Sequence, residues 1–198
     1  MTQTTKPRSS RSLATSLPNL LTYARILAVP ALVTCFFLEG ESANWAAVLI
    51  FALAGFTDFL DGYLARIWQQ QSSLGRMLDP IADKLLVASA LMLLVANGTI
   101  AGWSIWAAII ILCREILVSG LRENLAELKV SVPVTRLAKW KTAVQMVALG
   151  ILLASPAGDN IIAGMTEFGL VCLWISAVLT LYTGFDYFRA GVGHLFDE

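Results

Sequence analysis

Four aspartates fall in two pairs along the chain: Asp58 and Asp61, three residues apart, and Asp79 and Asp83, four apart. Each spacing puts both members of a pair on one helix face. The short Gln-Gln-Gln-Ser-Ser-Leu connection at 69–74 predicts that the two helices are antiparallel neighbours. Four carboxylates then meet across one interface near water. Like charges gathered at low dielectric need protons, cationic partners or metal ions. Arg66, Arg76 and Lys84 supply part of that compensation, and oxygen-only ligands suit Mg2+ or Mn2+ rather than a zinc-type nitrogen and sulfur site. Gly62, Ala65 and Gly75 are small and leave the backbone approachable by a bulky or phosphate-bearing group. Arg66 offers a phosphate fork at the same level. Metal ions, open backbone and an arginine are together what a pyrophosphate requires. The plainer alternative is a hydrated acidic helix end with glycines used for packing.

Other polar residues form stripes on apolar segments. Asn19, Thr22 and Arg25 recur every third residue, and Glu115, Ser119 and Arg122 sit at i, i+4 and i+7. Arg25, Arg114, Arg122, Lys139 and Lys141 outnumber Glu115 and Glu123, an excess that fits an anionic acceptor such as a phosphorylated alcohol. For Lys139 and Lys141 the alternative is topology signalling and contact with lipid headgroups.

The elements that must position these residues are membrane helices. Of 198 residues, 57% are hydrophobic and 14% charged, against roughly 25% charged in soluble domains. That composition excludes a secreted globule, a disordered chain and a coiled coil. A membrane-spanning helix takes about 20 apolar residues, and six such stretches are predicted, at 19–38, 44–68, 77–96, 102–125, 137–154 and 161–185. Arg25 and Pro30 inside the first, and Glu39-Gly40-Glu41 after it, mark a retained helix rather than a signal peptide. Loop cations (Lys6, Arg8 and Arg11; Arg66 and Arg76; Lys129, Arg136, Lys139 and Lys141) all fall on one side. The other side carries Glu39, Glu41, Asp159 and Glu167, so both termini are expected in the cytoplasm. The reading is an all-α, multi-pass protein with a six-helix domain at 17–189 between cytoplasmic tails at 1–16 and 190–198. Cys35, Cys113 and Cys172 lie in apolar runs as small hydrophobes. The single histidine, His194, leaves no Ser-His-Asp triad, so acid–base chemistry falls to carboxylates or lysines.

The spacing Asp58-x2-Asp61-Gly62-x2-Ala65-Arg66-x8-Gly75-x3-Asp79-x3-Asp83 resembles, at every fixed position, the signature of the CDP-alcohol phosphotransferase family. The resemblance implies a six-helix membrane fold, a homodimer, and two Mg2+ or Mn2+ ions held by the four aspartates on the cytoplasmic side. It further implies nucleotide and phosphate contacts from Gly62, Ala65, Arg66 and Gly75, and Asp83 as general base. Three more motifs narrow it: Pro18-Asn19-Leu20-Leu21-Thr22-x2-Arg25, Arg114-Glu115-Ile116-x2-Ser119-x-Leu121-Arg122-Glu123, and Lys139-x-Lys141-Thr142-x2-Gln145. They resemble family members of bacterial inner membranes that take CDP-diacylglycerol as donor and glycerol 3-phosphate as acceptor. The similarity runs from about residue 17 to 188, and it makes Thr22, Arg25, Arg114, Arg122, Lys139 and Lys141 the expected acceptor contacts. Membrane lipids are expected partners, nucleic acid is not. A serine-, inositol- or cardiolipin-type acceptor is the nearest rival. A divalent-cation transporter is the rival from another class, disfavoured because the acids lie toward one end of their helices and no internal repeat is visible.

Overall fold

In a computed structural model the described residues are 17–38, 40–68, 73–127, 136–155 and 157–195. They form six helices and no strand: α1 (Leu17–Phe36), α2 (Glu41–Trp68), α3 (Ser73–Ala96), α4 (Ser104–Glu127), α5 (Arg136–Ala154) and α6 (Met165–Leu195). Within them, side chains at 17, 18, 59, 61–68, 73, 74, 76, 126, 127, 136, 138, 139, 186, 187 and 190–195 fall outside the description. Three stretches are each long and apolar enough to cross a membrane: Asn19–Phe36, Ser104–Leu125 and Met165–Phe185. A shorter apolar helix covers Trp140–Ala154. The chain is an all-helical membrane protein.

The apolar stretches become helices close to the positions their composition predicts, with two differences. α6 begins at Met165 rather than near 161, because Gly164 takes a left-handed φ of 85° that a side chain would strain, and it then runs on to Leu195. Asp159 accepts hydrogen bonds from the Thr166 amide (3.0 Å) and hydroxyl, which covers an otherwise orphaned donor of the first turn. α3 begins at Ser73 and carries Pro80 within it. Pro80 has no N–H to donate, so α3 forgoes one helical hydrogen bond there.

Among the described residues the expected contact of α2 with α3 is present but small. α1 packs extensively on both of them, whereas α2 and α3 touch only lightly. α5 packs on α2 and α6, and α6 also on α4. The core lies between these helices, around Leu32, Phe51, Leu86, Leu94, Leu149 and Leu173. At the end remote from the aspartates, Asn44 donates to the Ser155 carbonyl (2.6 Å) and Asn160 to Glu41 (2.7 Å), tying α2 to the α5–α6 turn. The three cysteines are free thiols.

Candidate active site

α1 supplies a polar edge to the gap between α2 and α3. Thr22 and Arg25, one turn apart, point into the bundle: both are buried, Arg25 completely. Arg25 Nη1 lies 2.8 Å from Asp58 Oδ1, and the Thr22 hydroxyl donates to Asp79 Oδ1. One helix thus grips an acid from each of its two neighbours. The Asp58 side chain remains 47% exposed, and Asp79 and Asp83 are half-buried. Asp58 interacts electrostatically with both Asp79 and Asp83, so the three carboxylates form one field.

Gly75 is buried in the first turns of α3. Asp61, Gly62, Ala65 and Arg66 belong to helical α2, but their side chains, like that of Lys139 in α5, lie outside the described residues.

Beyond Asp83, α3 and α4 enclose a pocket of about 360 Å3 lined by Asp83, Lys84, Arg114, Glu115, Arg122 and Glu123. That lies within the usual range of ligand pockets, about 300–1,000 Å3. Arg114 is held from two sides: Nη2 donates to Thr183 Oγ1 of α6 (3.2 Å), and Nη1 stands 3.7 Å from Glu115 Oε1. Gly184 makes room for it, since a Cβ there would stand 3.2 Å from Arg114 Cγ. Lys141, buried at the start of α5, bonds to Glu115 Oε1. Arg122 is exposed at the pocket's rim.

The structure therefore brings the expected acceptor residues to two places. Arg114 and Arg122 line the pocket, with Lys141 behind it on Glu115, whereas Thr22 and Arg25 stand on the aspartates. Sequence reasoning passed over the hydrogen bond from Lys84 to Ser119 and the seat that Thr183 and Gly184 make for Arg114. Lys84 follows Asp83 directly and was legible as a nearby charge; Thr183 carried no signal in an apolar helix.

The donor chemistry suits a hard divalent cation. The carboxylates offer oxygen only, and the described bonds of Asp58 and Asp79 each engage Oδ1, whereas a carboxylate accepts at both oxygens. Among the described residues no three acidic, His or Cys side chains are grouped closely enough to hold an ion by themselves. Asp61, the remaining acid of the motif, lies outside them.

Comparison with known proteins shows the family. A sequence model of the family described as CDP-alcohol phosphatidyltransferase matches residues 15–182. A protein of Rickettsia bellii named CDP-diacylglycerol–glycerol-3-phosphate 3-phosphatidyltransferase is 48% identical over 175 residues, covering 88% of this chain and 94% of its own length. Proteins of the same name from Haemophilus influenzae (41% over 185 residues; 92% and 97% covered) and Cereibacter sphaeroides (40% over 217 residues; 92% and 98%) are similar throughout.

Proposed function

The chain belongs to the CDP-alcohol phosphatidyltransferase family, and on that footing we propose that it transfers the phosphatidyl group of CDP-diacylglycerol to glycerol 3-phosphate. The products are phosphatidylglycerophosphate and CMP. The observation that carries this reading is the adjoining of two sites. Carboxylates gathered around α1 reach, through Asp83, a pocket whose other wall bears Arg114 and Arg122.

Asp58, Asp61, Asp79 and Asp83 would hold two Mg2+ or Mn2+ ions. When bound, these would neutralise the donor's pyrophosphate and stabilise the departing CMP. Arg25 and Thr22 fix the Asp58 and Asp79 side chains before substrate arrives, which lowers the reorganisation needed during reaction. Gly62, Ala65, Arg66 and Gly75 are assigned to the nucleotide and its phosphates. Arg114 and Arg122 receive the acceptor's phosphate, and Lys141 supports Arg114 by occupying Glu115. Lys139 is assigned to the acceptor side by its motif. Asp83, present in both sites, takes the proton of the attacking primary hydroxyl, whose oxygen forms the new bond to the β-phosphorus as the bond to CMP breaks.

In this reading the chain crosses a bacterial cytoplasmic membrane six times with both termini inside, and the site would face soluble glycerol 3-phosphate. The confinement of loop cations to that side supports the orientation. The working unit is a homodimer by family resemblance.

The test is turnover of CDP-diacylglycerol by purified protein with glycerol 3-phosphate, serine or inositol in turn. Phosphatidylglycerophosphate should form with the first alone. In Arg114→Ala the KM for glycerol 3-phosphate should rise more than that for CDP-diacylglycerol. Preference for serine or inositol would reassign the acceptor.

A further inference from the structure

Lys84 has no part in the family motif, yet its side chain reaches across from α3 to α4, where the ammonium donates a hydrogen bond to Ser119 Oγ. Both residues line the same pocket as Asp83, Arg114 and Arg122. Resting on the reading that the acceptor is glycerol 3-phosphate, we infer that Lys84 and Ser119 form a phosphate-binding pair that makes the enzyme select a phosphorylated acceptor over a neutral one.

Of the three acids lining the pocket, Glu115 is engaged by Lys141 from α5, Asp83 belongs to the reacting centre, and Glu123 is exposed beside Arg122. The described partner of Lys84 is a neutral hydroxyl, and among the described residues no bond to a carboxylate offsets its charge, unlike Arg25 on Asp58 or Lys141 on Glu115. An ammonium carries three donors and Ser119 takes one. Two N–H groups remain, and the serine, having accepted, still has its own O–H to give. A phosphate monoester accepts all three, and the charge-assisted bonds are the stronger kind. Serine holds the flexible lysine in place, which reduces the ordering cost on binding. Lys84 also follows Asp83 on the same helix, so a phosphate held there keeps the acceptor's hydroxyl end near the proposed base.

A plain helix tie between α3 and α4 would give different kinetics. In Lys84→Met the KM for glycerol 3-phosphate should rise by roughly tenfold or more, the loss expected for a hydrogen bond to a charged group. The KM for CDP-diacylglycerol should stay within about twofold. Lys84→Arg should recover most of the loss. Inorganic phosphate, as a competitive inhibitor against glycerol 3-phosphate, should show a Ki raised in parallel. The preference for glycerol 3-phosphate over unphosphorylated glycerol should fall by about the same factor. Ser119→Ala keeps the charge and should give a smaller rise in the same KM and Ki, and it carries the test if Lys84→Met does not fold. Wild-type enzyme that uses glycerol 3-phosphate, with variants whose KM and phosphate Ki are unaltered or whose use of both acceptors falls equally, overturns this inference and leaves the proposed function standing. Wild-type enzyme that ignores glycerol 3-phosphate overturns the proposed function itself.

Discussion

Replacing Arg25 by leucine removes the guanidinium that stands 2.8 Å from Asp58. Breaking a fully buried ion pair costs about 3–5 kcal/mol, and an exposed pair is worth about 0–1 kcal/mol. Here Arg25 is completely buried, while the Asp58 side chain, 47% exposed, can recover water when its partner goes. The expected loss therefore lies between the limits, at about 2 kcal/mol. For a chain of this size that lowers Tm by about 4–8 °C. The measurement is thermal unfolding of metal-free protein in detergent, made as a double-mutant cycle with Asp58→Asn. In the Asp58→Asn background the charge pairing of Arg25 with Asp58 is already gone, so Arg25→Leu should cost clearly less than it does in wild type. Equal loss of Tm in both backgrounds would mean that Arg25 acts through packing alone, and the reasoning about α1 as the holder of the acids would fail.

Asp83→Asn keeps the shape of the side chain but cannot take a proton; turnover should fall by about 10²–10⁴-fold, while equilibrium binding of CDP-diacylglycerol largely persists. Near-normal turnover would remove Asp83 from the proton-transfer role. Gly169→Ala puts a methyl 2.9 Å from Leu152 Cδ2 and 3.0 Å from Ile151 Cγ2 where α6 crosses α5, and should destabilise by about 1–3 kcal/mol without changing either KM. A variant as stable as wild type would show that the crossing has slack. Hydrogen bonds from the Thr166 hydroxyl and amide hold the Asp159 carboxyl below the usual carboxylate range. A depressed folded-state pKa gives stability above the unfolded value that is lost as pH falls through the folded one. Wild type should thus lose more Tm than Asp159→Asn on acidification from about pH 5 to 3, and parallel curves for the two proteins would refute the link.

The helices were legible because a bilayer demands long apolar runs, and these dominate the composition. The acid motif was legible because its fixed spacing survives without any knowledge of packing. Helix arrangement was legible only in part: the short 69–74 connection suggested α2 and α3 as neighbours, but not that α1 packs on both of them more extensively than they pack on each other among the described residues. Periodicity places Thr22 and Arg25 on one stripe but does not say which neighbour the stripe faces. Only the packing shows it facing Asp79 and Asp58. For the same reason Thr183 and Gly184, ordinary residues for an apolar helix, became visible as the seat of Arg114 only in three dimensions. The late start of α6 turned on a single left-handed glycine, Gly164, among several in the sequence.

The most direct test is CMP release from CDP-diacylglycerol by the purified protein, with glycerol 3-phosphate and Mg2+ each supplied or withheld. Release of CMP matched one for one by phosphatidylglycerophosphate, only when both are present, is the expected result. CMP formed at full rate in chelator, or formed without any acceptor-dependent lipid product, would contradict an aspartate-held metal site working beside an anion pocket.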